Sequence, residues 1–146
     1  MEDYTWTFLE DAVLAALKAQ LGSRVKTVET YQGDFLPDLK KEAWRLPAVL
    51  VMLRQSRGEQ VTARSYDVHL DFTVLAAARA LRGGTSGRRV EGGVYDILAG
   101  VRQALWHQDL GLEILPFSLV LEEPLLTTRE FTVYAAHYRT AAVKDL

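Results

Sequence analysis

Ser65-Tyr66-Asp67-Val68-His69-Leu70-Asp71-Phe72-Thr73-Val74 decides the fold. Tyr66, Val68, Leu70, Phe72 and Val74 alternate with Ser65, Asp67, His69, Asp71 and Thr73. A period of two puts the apolar set on one face of a strand and the polar set on the other. A strand patterned in this way belongs to a sheet with one side covered by helices. The preceding run, Ala48-Val49-Leu50-Val51-Met52-Leu53 after Pro47, is apolar on both faces and reads as a central strand. Ser56-Arg57-Gly58-Glu59 reads as the turn of an antiparallel hairpin between these two strands.

Helices lie on either side of the hairpin in sequence. Leu9, Ala12, Val13, Ala16, Leu17 and Leu21 recur at helical spacing, with Asp11, Lys18 and Gln20 on the opposite, solvated face. Thr7 and Glu10 fit a capping box, and Gly22 fits a left-handed C-terminal cap. Val94, Ile97, Leu98, Val101, Ala104 and Leu105 form a second stripe, which Gly111 helps to end. Residues 25–31 read as a strand, and Pro37 opens a short helix through Glu42. Residues 112–121 and 129–143 read as two more strands, joined through Glu122-Glu123-Pro124. In the last strand Phe131, Val133 and Ala135 share one face, and Tyr134, Ala136 and Tyr138 the other. The order predicts one α+β domain over residues 1–146: a mostly antiparallel, mixed sheet with two amphipathic helices on one face.

Residues 79–93 hold five glycines and four arginines, Arg79, Arg82, Arg88 and Arg89. They read as a flexible basic loop. Backbone amides and arginines there suit an anion, but Gly83-Gly84-Thr85-Ser86-Gly87-Arg88-Arg89 lacks the glycine spacing and terminal Lys-Ser/Thr of a phosphate-binding loop.

Composition narrows the function. There are no cysteines, which excludes disulfides, thiolate catalysis and cysteine-ligated zinc. The formal net charge of −2 leaves nucleic-acid binding to a local patch. Met1-Glu2-Asp3-Tyr4 is acidic where a signal peptide would be basic, and no apolar run approaches the ~20 residues of a membrane span.

Chemistry is sparse. His69, His107 and His137 have no helical metal-ligand spacing. Asp67, His69 and Asp71 project from one strand face, either as a metal or acid–base row or as a solvated polar face. Glu122 and Glu123 are adjacent and point to opposite faces, so they cannot act as an acid–base pair. No nucleophile elbow is present, and Ser86 has no base beside it. Trp6, Trp44 and Trp106 read as packing at helix edges. The expectation is a non-enzyme without cofactor or metal.

Nearly the whole sequence resembles a family of small tail proteins of Mu-like prophages. Leu9-Glu10-Asp11-Ala12-Val13 with Leu17, Val28-Glu29-Thr30-Tyr31, and Gly33-Asp34-Phe35 fit the family's start. Arg45-Leu46-Pro47-Ala48-Val49-Leu50-Val51 fits there too. Phe72-Thr73-Val74-Leu75-Ala76-Ala77-Ala78-Arg79 with Leu81-Arg82-Gly83 fits its middle. Gly93-Val94-Tyr95-Asp96-Ile97-Leu98, Val101-Arg102 and Leu105 fit its second helix, and Leu110-Gly111-Leu112 with residues 133–138 its end.

The family has no catalytic motif to carry over. It is similar in size and layout to tail terminator, or tail completion, proteins. The resemblance implies a homo-oligomeric ring, usually hexameric, that caps the head-proximal end of a contractile tail. The partners implied are the chain itself, the tail tube, head-connector proteins and DNA in a channel, with no membrane. The place implied is the bacterial cytoplasm during assembly, then a virion or phage-tail-like particle. Apolar residues on both faces of the last strand (Phe131, Val133, Tyr134, Tyr138) read either as a subunit interface or as a buried central strand. Arg79, Arg82, Arg88 and Arg89 read as a loop facing a neighbour, the tube or the channel. The alternative is a small non-enzymatic module that binds an anionic ligand or nucleic acid through residues 79–93.

Overall fold

The computed structural model describes residues 4–31, 35–40, 44–79, 89 and 93–145. Helix α1, Trp6–Leu21, is followed by a 3-10 turn, Gly22–Arg24. Then come β1 (Thr27–Thr30), α2 (Phe35–Lys40), β2 (Ala48–Gln60) and β3 (Ser65–Arg79). Helix α3 (Val94–Leu105), β4 (Ser118–Thr127) and β5 (Phe131–Asp145) complete the order. The five strands form one mixed sheet in the order β1-β2-β3-β5-β4. Among the described residues, β1–β2 pair in parallel and the other three strand pairings are antiparallel. This is the α+β architecture that the alternation in residues 65–74 predicts.

The main core lies between the sheet and the two long helices. Leu9, Val13, Leu17 and Leu21 from α1 meet Ile97, Leu98, Val101 and Leu105 from α3 above Val49, Val51, Phe72, Val74, Ala136 and Tyr138. Where α3 crosses α1 the residue is Gly100, and a Cβ built there would lie 2.5 Å from Leu21 Cδ2. Arg102 Nε donates to Glu122 Oε2 at 2.9 Å and ties α3 to β4.

The opposite sheet face is not uniformly solvated. Leu50, Leu75, Ala77, Phe131, Val133 and Ala135 form a second, smaller core with Leu39 of α2. The period of two in β3 therefore ends near Thr73. Beyond it, both faces of the strand are covered and both become apolar.

Several boundaries differ from the sequence expectation. The N-cap of α1 is Thr5, whose hydroxyl accepts from Phe8 N–H at 3.1 Å. Thr7 lies inside the helix, and Glu10 instead accepts from Leu53 N–H at 3.1 Å. Gly22 has φ +55 and ψ −127, so its φ is positive as expected, but its ψ leads into the 3-10 turn. The first strand covers only residues 27–30, not 25–31. Lys41 and Glu42, the end of the expected short helix, lie outside the described residues. Trp6 and Trp106 remain substantially exposed.

The expected turn at residues 56–59 is strand. Ser56, Arg57, Gly58 and Glu59 pair with Leu70, His69, Val68 and Asp67, and the chain reverses at residues 61–64. A Ser-Arg-Gly-Glu segment has turn-like composition, but the ladder to β3 overrides that preference. Likewise Glu122-Glu123-Pro124 sits inside β4, and the reversal comes at residues 128–130. Proline is tolerated there because β4 is an edge strand. Register shifts between Leu119 and Leu121 and between Pro124 and Leu126 accommodate the extra residues as bulges.

Candidate functional site

The distal half of the open sheet face carries an ordered row of polar side chains. Beyond the small apolar core, β3 and β5 bring Asp71 opposite Arg139, and Thr73 opposite His137. The shift between Leu53 and Gln55 in β2 puts Gln55 opposite Asp71. Arg139 Nε donates to Asp71 Oδ1 at 2.7 Å and Nη2 reaches Oδ2 at 3.5 Å. Gln55 Nε2 donates to Oδ2 at 2.8 Å.

Asp71 is 5% exposed. Hydrogen bonding from Arg139, then from Gln55, outweighs its desolvation and holds its carboxyl below the usual range. The same bond raises Arg139. A carboxylate pinned in its charged form by a guanidinium is a poor proton acceptor and acts as a strut across three strands.

The neighbours are engaged as well. His69 Nε2 lies 3.0 Å from Glu59 Oε2. His137 Nδ1 lies 3.0 Å from Thr73 Oγ1, with Nε2 4.0 Å from Glu123 Oε1. Of the row Asp67, His69 and Asp71, two members are thus drawn to different partners. Among the described residues no group of three His, Cys, Asp or Glu side chains is arranged to hold a metal.

This network makes a pH-dependent prediction. The Asp71 carboxyl titrates lower in the folded chain than in the unfolded one, so at falling pH the unfolded chain takes up the proton first. The stabilisation is complete above the ordinary carboxyl value of 3.8 and is lost as pH drops through the lowered folded value. Asp71→Asn should cost about 1–2 kcal/mol at neutral pH, moderated by the solvent around Arg139. The gap between variant and parent melting temperatures should hold down to about pH 4 and narrow below it. A gap that stays constant with pH would refute the charge pair.

Glu122 and Glu123 do point to opposite faces, one to Arg102 and one toward His137. Of the loop arginines, Arg79 is exposed at the end of β3 with its guanidinium 5.5 Å from the Phe131 ring centroid, and Arg89 is exposed. Arg82, Arg88 and Ser86 lie outside the described residues. Phe131, Val133 and Tyr138 are 5%, 0% and 0% exposed. Tyr134 is half-buried, edge-on to Tyr95 at 5.8 Å. Strand β5 runs between β3 and β4. Its apolar residues on both faces pack into the two cores of the subunit itself, which is what the buried-central-strand reading expects.

The edge strand β4 carries exposed apolar side chains at Val120, Leu121 and Leu125, with Leu115 before it, while Trp6, Phe8, Val61, Tyr95 and Trp106 are exposed elsewhere. Nothing local in the sequence separates these leucines from core leucines. The signal that identifies them is the edge position of β4.

The family model described as Bacteriophage Mu, Gp37 matches residues 6–142. The chain belongs to the Mu Gp37 family. The resemblance to Mu-like phage proteins, read from residues spread over the sequence, is borne out across both long helices and nearly all of the sheet. No curated protein matches the chain. Among the described residues of this Gp37-family chain, no helix is long and apolar enough to cross a membrane.

Proposed function

We propose that this chain is a structural subunit of a phage tail, a terminator or completion protein that self-associates into a ring on the head-proximal end of a contractile tail. The family match over residues 6–142 carries this reading. The architecture supports it: the polar side chains of the open face bind one another across strands, and an edge strand presents apolar side chains outward. A ring of identical subunits needs two different surfaces that meet head to tail. In this reading the ring joins the tail tube to the head connector. Arg79, Arg82, Arg88 and Arg89 face a neighbouring subunit, the tube or the DNA in the channel.

The test is the native mass of the purified chain over a concentration series. The expected result is a discrete species, six times the 16.4 kDa chain mass for a hexamer, that stops growing with concentration. A strict monomer throughout would contradict a ring that closes by itself. It would turn attention to the chain as a small anion-binding module.

A further inference from the structure

Among the described residues the sheet has two unpaired edges on opposite sides, and their lengths, directions and charges are complementary. β1 covers β2 only at residues 48–51. Among the described residues, β2 has no strand beside it on that side from residue 52 to Gln60. At the start of this free length the Leu53 N–H is taken by the Glu10 carboxylate. Residues 54–60 follow, all exposed. On the far side of the sheet, β4 offers ten residues. The three antiparallel pairings from β2 through β3 and β5 to β4 make β2 and β4 run in opposite senses. A second copy laid beside the first with the same face up therefore brings its β2 antiparallel to β4.

Charge favours the same match. The free length of β2 carries Arg54 and Arg57, with Glu59 drawn to His69, and β4 carries Glu123 beside Glu122, which Arg102 holds. Centring β4 on residues 54–60 sets Arg57 level with Glu123, the glutamate that the helices leave free. β4 then fills the lane beside β2 that the four residues of β1 leave open.

The geometry also leads toward closure. Register places the middle of β4 level with residues 50–51 of β2, so meeting the free length requires a slide of six to seven residues, about 20 Å. The step across the sheet is four strand spacings, about 19 Å. Equal steps along and across the strands tilt them by roughly 45°, close to the ~35–45° of closed sheets. Pro124 and the two bulges interrupt the outer row of donors, so the ladder forms in short segments, and Val120, Leu121 and Leu125 add side-chain contact.

We propose that β4 of one copy pairs antiparallel with residues 54–60 of the next, and that this head-to-tail strand pairing builds the ring. The inference rests on the tail-ring reading and names its interface. The chain has no cysteine, so cross-linking is clean. Arg57→Cys, at an exposed position, and Glu123→Cys, at a partly exposed one, are made in separate chains and treated with a short bismaleimide alone and mixed. The expected result is a covalent dimer in the mixture and only background in either variant alone. A chain with both substitutions should give a ladder that ends at the ring size. Homodimers of either variant as abundant as the mixed product would mean a two-fold contact and overturn the pairing. A discrete oligomer by native mass without cross-links would overturn the pairing and leave the ring standing. A monomer without cross-links would overturn both.

Discussion

Phe72→Ala is expected to lower the unfolding free energy by about 3–5 kcal/mol. Phe72 is 1% exposed, at the centre of the strand that organises the sheet. It pairs with Leu53 on β2 and Tyr138 on β5, and it meets the Phe117 ring edge-on at 5.6 Å and 69°. Truncation removes a large apolar side chain where both flanking strands and the segment leading into β4 converge, and none of these can move in without breaking its ladder. Proteins of this size have about 5–15 kcal/mol in all, so the variant should sit close to the folding threshold. Urea unfolding followed by circular dichroism measures the loss. A change below about 1.5 kcal/mol would mean that Phe72 is not the centre of the core.

Gly100→Leu should be comparably damaging, for a steric reason. The first atom of any side chain at residue 100 meets Leu21 Cδ2 at 2.5 Å and Arg24 Nη2 at 2.9 Å. The arginine can swing away, since its other contact is to the Gln20 carbonyl on the exposed side. Leu21 is 1% exposed and cannot. Leucine there must push α1 off α3, at a cost of about 3 kcal/mol or more, the upper end of overpacking. Gly100→Ala separates packing from helix propensity. Propensity alone would stabilise the helix by about 1 kcal/mol, whereas close approach makes alanine neutral or harmful. Thermal melts of both variants decide this, and an alanine variant more stable than the parent would refute the close contact.

The layout was legible in sequence because burial leaves periodic marks. Residues 65–74 alternate, the stripes of α1 and α3 repeat at helical spacing, and Glu122 and Glu123 diverge as adjacent strand residues must. The ends of the long hairpin were not legible. Residues 54–60 are polar and exposed, so only their ladder to β3 marks them as strand. Two readings of the last strand stayed open because a core strand and an interface strand carry the same residues; its position between β3 and β4 decides. Asp71 looked like one member of a row on its own strand. Its real partner is Arg139, 68 residues away, and strand register alone brings them together.

The central claim, that this chain ends tail growth, is tested most directly by measuring tails. Electron micrographs of lysates from a Mu-like phage lacking this chain should show tubes of uncontrolled length, unjoined to heads, and complementation should restore normal length. Tails of normal length joined to heads in the absence of the chain would contradict it.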